Sequence, residues 1–339
     1  MTMPGQDRSS GFAPDMTRPH VVILGAGASR AGFPRGDRNG KLLPVMSDLA
    51  EIVGLNELLR QGRVDPTNDF EAAYASLKED PRRASLAGAL EERLRDYFES
   101  LRLPLEPTLY DHLLLCLRPK DVIATFNWDP LLVHACVRNA TWAPLPRVLF
   151  LHGNVGVAVC QVCEIVRPLG LPCAKCGSVP EPVPLLYPIQ RKDYSSDPFI
   201  AREWEAIRGA LRAAYMLTIF GYGAPASDAD AVSLLQEGWG AAARRNLEEI
   251  EIINVNAPDT LRKTWRTFIH TEHYRTTDSF YSSWIAWFPR RTCEAMWAQV
   301  MEGKWFNEGE IESLPKGASW DALRRKFGRL IGEERAYAG

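Results

Sequence analysis

No segment of this 339-residue chain is apolar for long enough to cross a bilayer; the longest apolar runs are the length of strands. Nor is basic charge concentrated anywhere. Lys and Arg number 40 against 42 Asp and Glu, a net charge of −2, with no basic stripe for nucleic acid and no polybasic run for an anionic membrane surface. Residues 1–19 lack the apolar stretch of a secretory signal. They are polar and rich in Pro, Gly, Ser and charge, and read as a flexible tail. The expectation is a cytoplasmic protein that touches neither nucleic acid directly nor membrane. Repeats of solenoid period and low-complexity tracts are missing too. Cysteine is sparse, at seven residues, and in a reducing compartment these are expected to be thiols or metal ligands and not disulfides. With 46% hydrophobic and 24% charged residues, what remains is a globular chain long enough for one large domain or two modest ones.

Five short apolar runs share one pattern. "HVVILGAGAS" predicts a strand from His20 to Leu24 and then a glycine turn. "DVIATFNWD" ends at Asn127 and Asp129, "RVLFLHGN" at His152, "YMLTIFGYG" at Gly221, and "IEIINVN" at Asn254 and Asn256. All five are rich in β-branched or aromatic residues without alternation, as strands buried on both faces are. Helical patterns over 45–62, 68–77, 83–103 and 109–117 separate the first from the second, and another over 198–215 precedes the fourth. Strands alternating with helices predict an α/β fold, a Rossmann-like, doubly wound parallel sheet.

In open parallel sheets, ligands bind in the crevice at the carboxyl ends of the strands. Gly25, Gly27, Ser29, Asn127, Asp129, His152, Gly221 and Asn254 all fall at that edge. Each alone is a turn former; five strand ends together read as a site. "GAGASRAG" brings backbone N–H groups toward a pyrophosphate at a helix start. It lacks the third glycine of G-x-G-x-x-G, because Arg30 stands there, so the generic dinucleotide match is incomplete. Asp48 and Glu51, at the distance of a ribose contact, sit in an amphipathic helix and are expected to be solvated. Asn127 and Asp129 also read as a turn capping the helix that opens at Pro130, and both roles are compatible.

"CQVC" and "CAKC" place Cys160, Cys163, Cys173 and Cys176 in a C-x2-C-x9-C-x2-C pattern. Two such pairs bring four thiolates to the corners of a tetrahedron, which suits zinc. Four cysteines close the coordination shell, so the zinc is expected to be structural, in a small ribbon inserted at about 157–180. His152 is then not needed as a ligand. It is either a strand-end histidine bonded to backbone or a catalytic base, and its company at the strand ends favours the base. From 261 to 339 the chain turns aromatic-rich, holding more than half of the ten tryptophans, and reads as a C-terminal region of helices and loops that buries itself against another surface. The predicted division is a tail over 1–19, a nucleotide-binding domain over 20–260, and this helical extension.

The motifs "GAGAS", "GFPRGD", Pro107 with His112, "TFNWD", "LHG", the paired cysteines, "GYG" and "INVN" stand in the order found in sirtuins. The chain resembles the sirtuin superfamily over about 21–256. It looks closest to bacterial sirtuin-like domains of anti-phage defence, with "FNWD" and the loop "GYGAPASD". The resemblance implies an NAD site. Gly25, Ala26, Gly27 and Ser29 would line the phosphates, with Ala28 and Phe33 beside them. Asn127 would hold the nicotinamide ribose, Asp129 the carboxamide, and His152 would be the base at the ribose hydroxyls. Gly221, Tyr222 and Asn254 would contact the adenosine half, with Asp228 and Asn256 also on the cofactor.

Two departures bear on the activity. Phe126 stands where sirtuins usually carry glutamine. Where deacylases carry a strand that pairs with an acyl-lysine peptide, this chain has "VPLLYPIQRKDY", and Pro184 and Pro188 cannot donate to a ladder. The expected activity is therefore hydrolysis of NAD+, with water as nucleophile, to nicotinamide and ADP-ribose. The alternatives are an NAD-dependent protein deacylase and a non-catalytic module that binds NAD or ADP-ribose. A hydrolase of NAD+ must be restrained in the resting cell, which implies a homo-oligomer, a defence-system partner protein or a small-molecule trigger.

Overall fold

The computed structural model describes residues 16–65, 70–188, 192–307 and 309–337. The chain opens with β1 (His20–Leu24) and runs through α1 (Ala26–Gly32), α2 (Leu49–Val53), α3 (Asn56–Gln61), α4 (Phe70–Lys78), α5 (Ala84–Glu99) and α6 (Leu109–Cys116) to β2 (Val122–Thr125). Then come α7 (Leu131–Asn139), β3 (Arg147–Phe150) and three short strands, β4 (Val157–Val159), β5 (Val166–Pro168) and β6 (Glu181–Pro182). They are followed by α8 (Pro198–Ala213), β7 (Met216–Phe220), α9 (Ala229–Trp239), β8 (Glu249–Ile253), α10 (Pro258–Trp265), β9 (Tyr274–Thr277), α11 (Trp284–Trp287), α12 (Thr292–Met301) and α13 (Trp320–Tyr337).

Six strands form one parallel sheet in the order β3-β2-β1-β7-β8-β9. Val21 is in register with Val122 on one side and Leu217 on the other. Counted along the chain, this is the doubly wound 3-2-1-4-5-6 order, whose direction reverses between β1 and β7. Both faces of β1 are buried, as its unbroken apolar run predicts. Val22 and Leu24 join the layer built from α2–α7, α11 and α13, whereas Val21 and Ile23 face α8, α9 and α10. The small sheet β5-β4-β6 is antiparallel and makes the inserted ribbon.

Local chemistry sets the helix ends. Thr108 and Asp111 form a reciprocal capping box on α6, and the Asp197 side chain accepts from Ile200 N at 3.0 Å to cap α8. The helix predicted over 45–62 is broken in two at Gly54, whose φ of 79° ends α2 in the left-handed conformation. The region beyond 260 carries its helices, but it also supplies β9, paired with β8. That strand escaped notice because "YRTT" is polar and only half-buried, as an edge strand is. Of the expected tail, residues 1–15 lie outside the described residues, and 16–19 are docked. Met16 N donates to Glu294 Oε1 at 3.3 Å, Arg18 pairs with Glu248 at 2.5 Å, and Tyr215 N donates to Pro19 O at 2.9 Å. Among the described residues, no helix is long and apolar enough to cross a membrane.

Candidate active site

At the point where the strand order reverses, the loops after β1 and β7 touch backbone to backbone. Gly25 N donates to Phe220 O at 3.0 Å and Gly27 N to Gly221 O at 2.9 Å. Gly221 has a φ of 63°, and a Cβ there would lie 2.1 Å from Ala28 N; one on Gly25 would lie 2.5 Å from Tyr222 Cα. Only glycine fits at either position. The amides of Gly25 and Gly27 are therefore committed to the neighbouring loop, and what this turn offers a ligand is the close approach of its backbone.

A cavity of about 450 Å³ opens above this junction. Its wall includes Gly25, Ala26, Gly27, Ser29, Asn127, Asp129, His152, Gly221, Tyr222, Asp228, Asn254 and Asn256, so the strand ends expected to converge do so. Ala28 and Phe33 are not on the wall. Ala28 is fully buried under the turn, and the Phe33 ring packs edge-on against Tyr110 with centroids 5.5 Å apart.

The floor is a closed polar network. Ser29 Oγ donates to Asp129 Oδ2 at 2.6 Å and lies 2.6 Å from the Tyr110 hydroxyl. Asn127 Nδ2 donates to Gly25 O and Ser29 Oγ, both at 2.9 Å. Asp129 Oδ1 accepts from Leu131 N at 3.1 Å, an Asx turn onto the start of α7, whose N-cap position is Pro130, and Asp129 also lies on the cavity wall. Burial pushes the Asp129 carboxyl above the usual range, and the Ser29 hydrogen bond opposes this. Asn154 Nδ2 donates to Asn127 O at 3.0 Å and Asp129 O at 2.7 Å, tying the loop after β2 to the loop after β3.

The wall at the end of β3 is less complete. His152 is buried, its Nε2 has no hydrogen-bond partner, and burial drives its pKa down to about 3. Asp228 faces that nitrogen, with 4.0 Å between Nε2 and Oδ1. Asp228 itself accepts from Lys192 Nζ at 2.5 Å and from the Tyr222 hydroxyl at 3.0 Å. Phe126, the residue in place of glutamine, stacks on Tyr222 at 4.2 Å and meets the His152 ring edge-on at 4.7 Å. Trp128 lines the cavity as well, and its buried Nε1 has no partner.

Two further segments line the cavity. Arg30, in place of the third glycine, donates to Leu43 O and Asp48 Oδ2, both at 2.5 Å, and Asp48 Oδ1 accepts from Val45 N at 2.9 Å. Asp48, the last residue of a short 3-10 turn (Met46–Asp48) and 29% exposed, is thus only partly solvated and anchors the loop that carries Leu43–Val45. On the other side, Leu186 N donates to His152 O at 2.9 Å, and a Cβ on Gly153 would lie 1.8 Å from Pro184 O. The segment Val183–Tyr187 is thus bound to the chain's own backbone beside His152.

In the ribbon, one Sγ from each of Cys160, Cys163, Cys173 and Cys176 lies within 4.8 Å of the others. Four thiols at that spacing, with no further donor needed, suit a structural zinc ion. Beyond the expected residues, the site contains Tyr110, Asn154, Lys192 and Trp128. Asn154 and Trp128 lie inside motifs already noted, and Lys192 lies in the quoted segment "VPLLYPIQRKDY", where nothing marks it as a site residue.

No protein-family profile matches the sequence, and no curated protein does. Similar solved structures include Sir2 proteins. One is a Sir2 variant with a deacetylated p53 peptide and 3′-O-acetyl-ADP-ribose, at 15% identity over 87% of this chain and 95% of that one, with a TM-score of 0.38. A Sir2 homologue in complex with NAD shares 16% identity over 84% and 90%, with a TM-score of 0.35. A Sir2 homologue variant with ADP-ribose shares 14% over 85% and 94%, with a TM-score of 0.38. The fold is established by the strand order and register described above.

Proposed function

We propose that this chain is an NAD+ glycohydrolase that releases nicotinamide and ADP-ribose. The observation that carries the reading is the convergence of Asn127, Asp129 and His152 with the Gly25–Gly27 turn and the Gly221–Tyr222 loop on one cavity at the sheet's reversal point. The order of the sirtuin-like motifs supports the same reading. Breaking the C1′–nitrogen bond of NAD+ passes through an oxocarbenium-like state, so the site must orient the ribose, limit bulk water and direct one nucleophile. A His152 held neutral by burial can accept a proton from a ribose hydroxyl or from water. Asn127 commits its NH2 to the floor, which leaves Oδ1 for a hydroxyl or water. Asp129 keeps spare lone pairs for the carboxamide. The segment Val183–Tyr187, bonded to His152 O through Leu186 N, favours water over an acyl-lysine peptide as the nucleophile.

The motifs "FNWD" and "GYGAPASD" resemble the defence-associated branch of sirtuin-like proteins. We infer a regulated anti-phage effector, restrained by oligomerisation or by a partner protein. The test is nicotinamide release from NAD+ by zinc-loaded protein purified with its native partners, with and without an acetylated peptide. Release without peptide is expected. Release only with peptide would make the chain a deacylase, and NAD+ binding without release would make it a binding module. A fall in cellular NAD+ on phage infection is the matching observation in cells.

A further inference from the structure

The buried cluster around Asp228 goes beyond the residues that the sirtuin-like motifs assign to catalysis. One carboxylate oxygen takes the Lys192 ammonium at 2.5 Å, the other takes the Tyr222 hydroxyl at 3.0 Å, and the first also faces His152 Nε2 at 4.0 Å. Lys192 and Asp228 are both buried, and both line the cavity that His152 lines. The imidazole is held between the Phe126 edge and the Tyr194 ring, whose centroid is 6.0 Å away. A buried ion pair leaning on a buried imidazole whose Nε2 is otherwise unpartnered is an arrangement that packing alone does not require.

We propose that Asp228, anchored by Lys192 and Tyr222, is the positioning residue that keeps the proton on His152 Nε2 and leaves Nδ1 as the atom that accepts the substrate's proton. This rests on the reading of His152 as a base given above. A carboxylate facing one ring nitrogen selects the tautomer protonated there and favours the imidazolium as it forms. Burial keeps the resting ring neutral, and Lys192 also opposes the pull of the carboxylate. In the step itself, the O–H bond of a ribose hydroxyl or of the attacking water breaks, and Nδ1–H forms. The imidazolium then carries a proton on each nitrogen, with Asp228 facing the new charge. Overall, NAD+ and water give nicotinamide, ADP-ribose and one proton, which His152 returns to solvent.

The experiment is a long-range proton–nitrogen spectrum of full-length, zinc-loaded protein labelled with 15N-histidine. The His152 signal is assigned by its loss in His152→Gln. The expected wild-type pattern is the Nε2–H tautomer. Asp228→Leu, which keeps bulk and removes the acceptor, is expected to abolish that preference. It should also lower kcat roughly 100-fold while KM changes less than about 3-fold, with partial rescue by Asp228→Glu. Because Asp228→Leu strands Lys192 as a buried cation, the pair Asp228→Leu/Lys192→Met provides a folded alternative with the same expected spectrum. An Nδ1–H tautomer in the wild type, or an unchanged Nε2–H tautomer in both variants, would overturn the proposal. Full turnover in His152→Gln would instead sink the base reading and the proton acceptor with it, whereas the tautomer assignment is judged by the spectrum alone.

Discussion

Beneath the glycine turn, Ser29, Asn127, Asp129 and Tyr110 bond to one another, whereas at the wall beyond β3 His152 Nε2 is buried with no hydrogen-bond partner. The two regions line one cavity, and both are built from strand ends. The floor resembles a protein core in its bookkeeping of polar groups: removing any member leaves another unsatisfied. The wall keeps a buried polar atom without a hydrogen bond at a cost in stability, a cost that packing alone does not require. Floor residues should therefore respond to mutation first in stability, and wall residues first in chemistry.

The largest expected effect lies in the ribbon, outside both regions. Cys173→Ser leaves three thiols, and structural zinc supplies on the order of 10 kcal/mol of local folding free energy. Bound zinc and soluble yield are expected to be lost, as read by metal analysis and expression. A folded, zinc-free and fully active protein would show that the ribbon supports neither region. Next in size is Gly221→Ala, which places a Cβ 2.1 Å from Ala28 N at a positive φ. It should cost about 3 kcal/mol or more, read as a lowered melting temperature, because the junction under the floor has to open.

A paired measurement sharpens the contrast. His152→Ala should cut nicotinamide release by about 100-fold or more while NAD+ still binds and stability changes by only about 1–2 kcal/mol. Ser29→Ala should do the reverse, costing about 1–3 kcal/mol because Asp129 and Asn127 lose a shared partner. Asn127→Ala should do both, since its Nδ2 holds Gly25 O. Equal stability losses with equal activity losses at Ser29 and His152 would erase the distinction.

The smallest effect is acid lability. His152 falls from 6.5 to about 3 in the folded state, so between those values the unfolded chain binds more protons. Its contribution is complete above about pH 6.5 and is lost as pH falls toward 3. His20 and His112, lowered to about 3 and about 4 by burial, act in the same sense. Relative to wild type, His152→Gln should flatten the pH dependence of stability between pH 6.5 and 5 by up to about 1.4 kcal/mol per pH unit. Denaturant titrations across that range measure it, and parallel curves would mean that the ring is not buried neutral.

The five strand ends and the paired cysteines were legible because their signals are local. An unbroken β-branched run and a glycine turn occupy adjacent residues, and C-x2-C spacing carries its own geometry. The break at Gly54 was missed although glycine marks it, because the apolar period continues across it. β9 was missed because an edge strand needs no apolar run. The anchoring of Asp48 was not legible for a different reason: its partner Arg30 reaches it from α1, 18 residues away along the chain.

The sequence by itself determined that the chain is a parallel α/β protein with a four-cysteine ribbon, and which strand ends carry polar residues. Those properties follow from side-chain period and turn chemistry within a few residues. Tertiary structure alone decided that Lys192, Asp228, Tyr222 and His152 meet, and that Tyr110 completes the floor with Ser29, Asn127 and Asp129. These partners stand as far as 100 residues apart, as Ser29 and Asp129 do. Their meeting depends on the strand order 3-2-1-4-5-6 and on loops pinned by single hydrogen bonds, and neither is encoded within any local window of the chain.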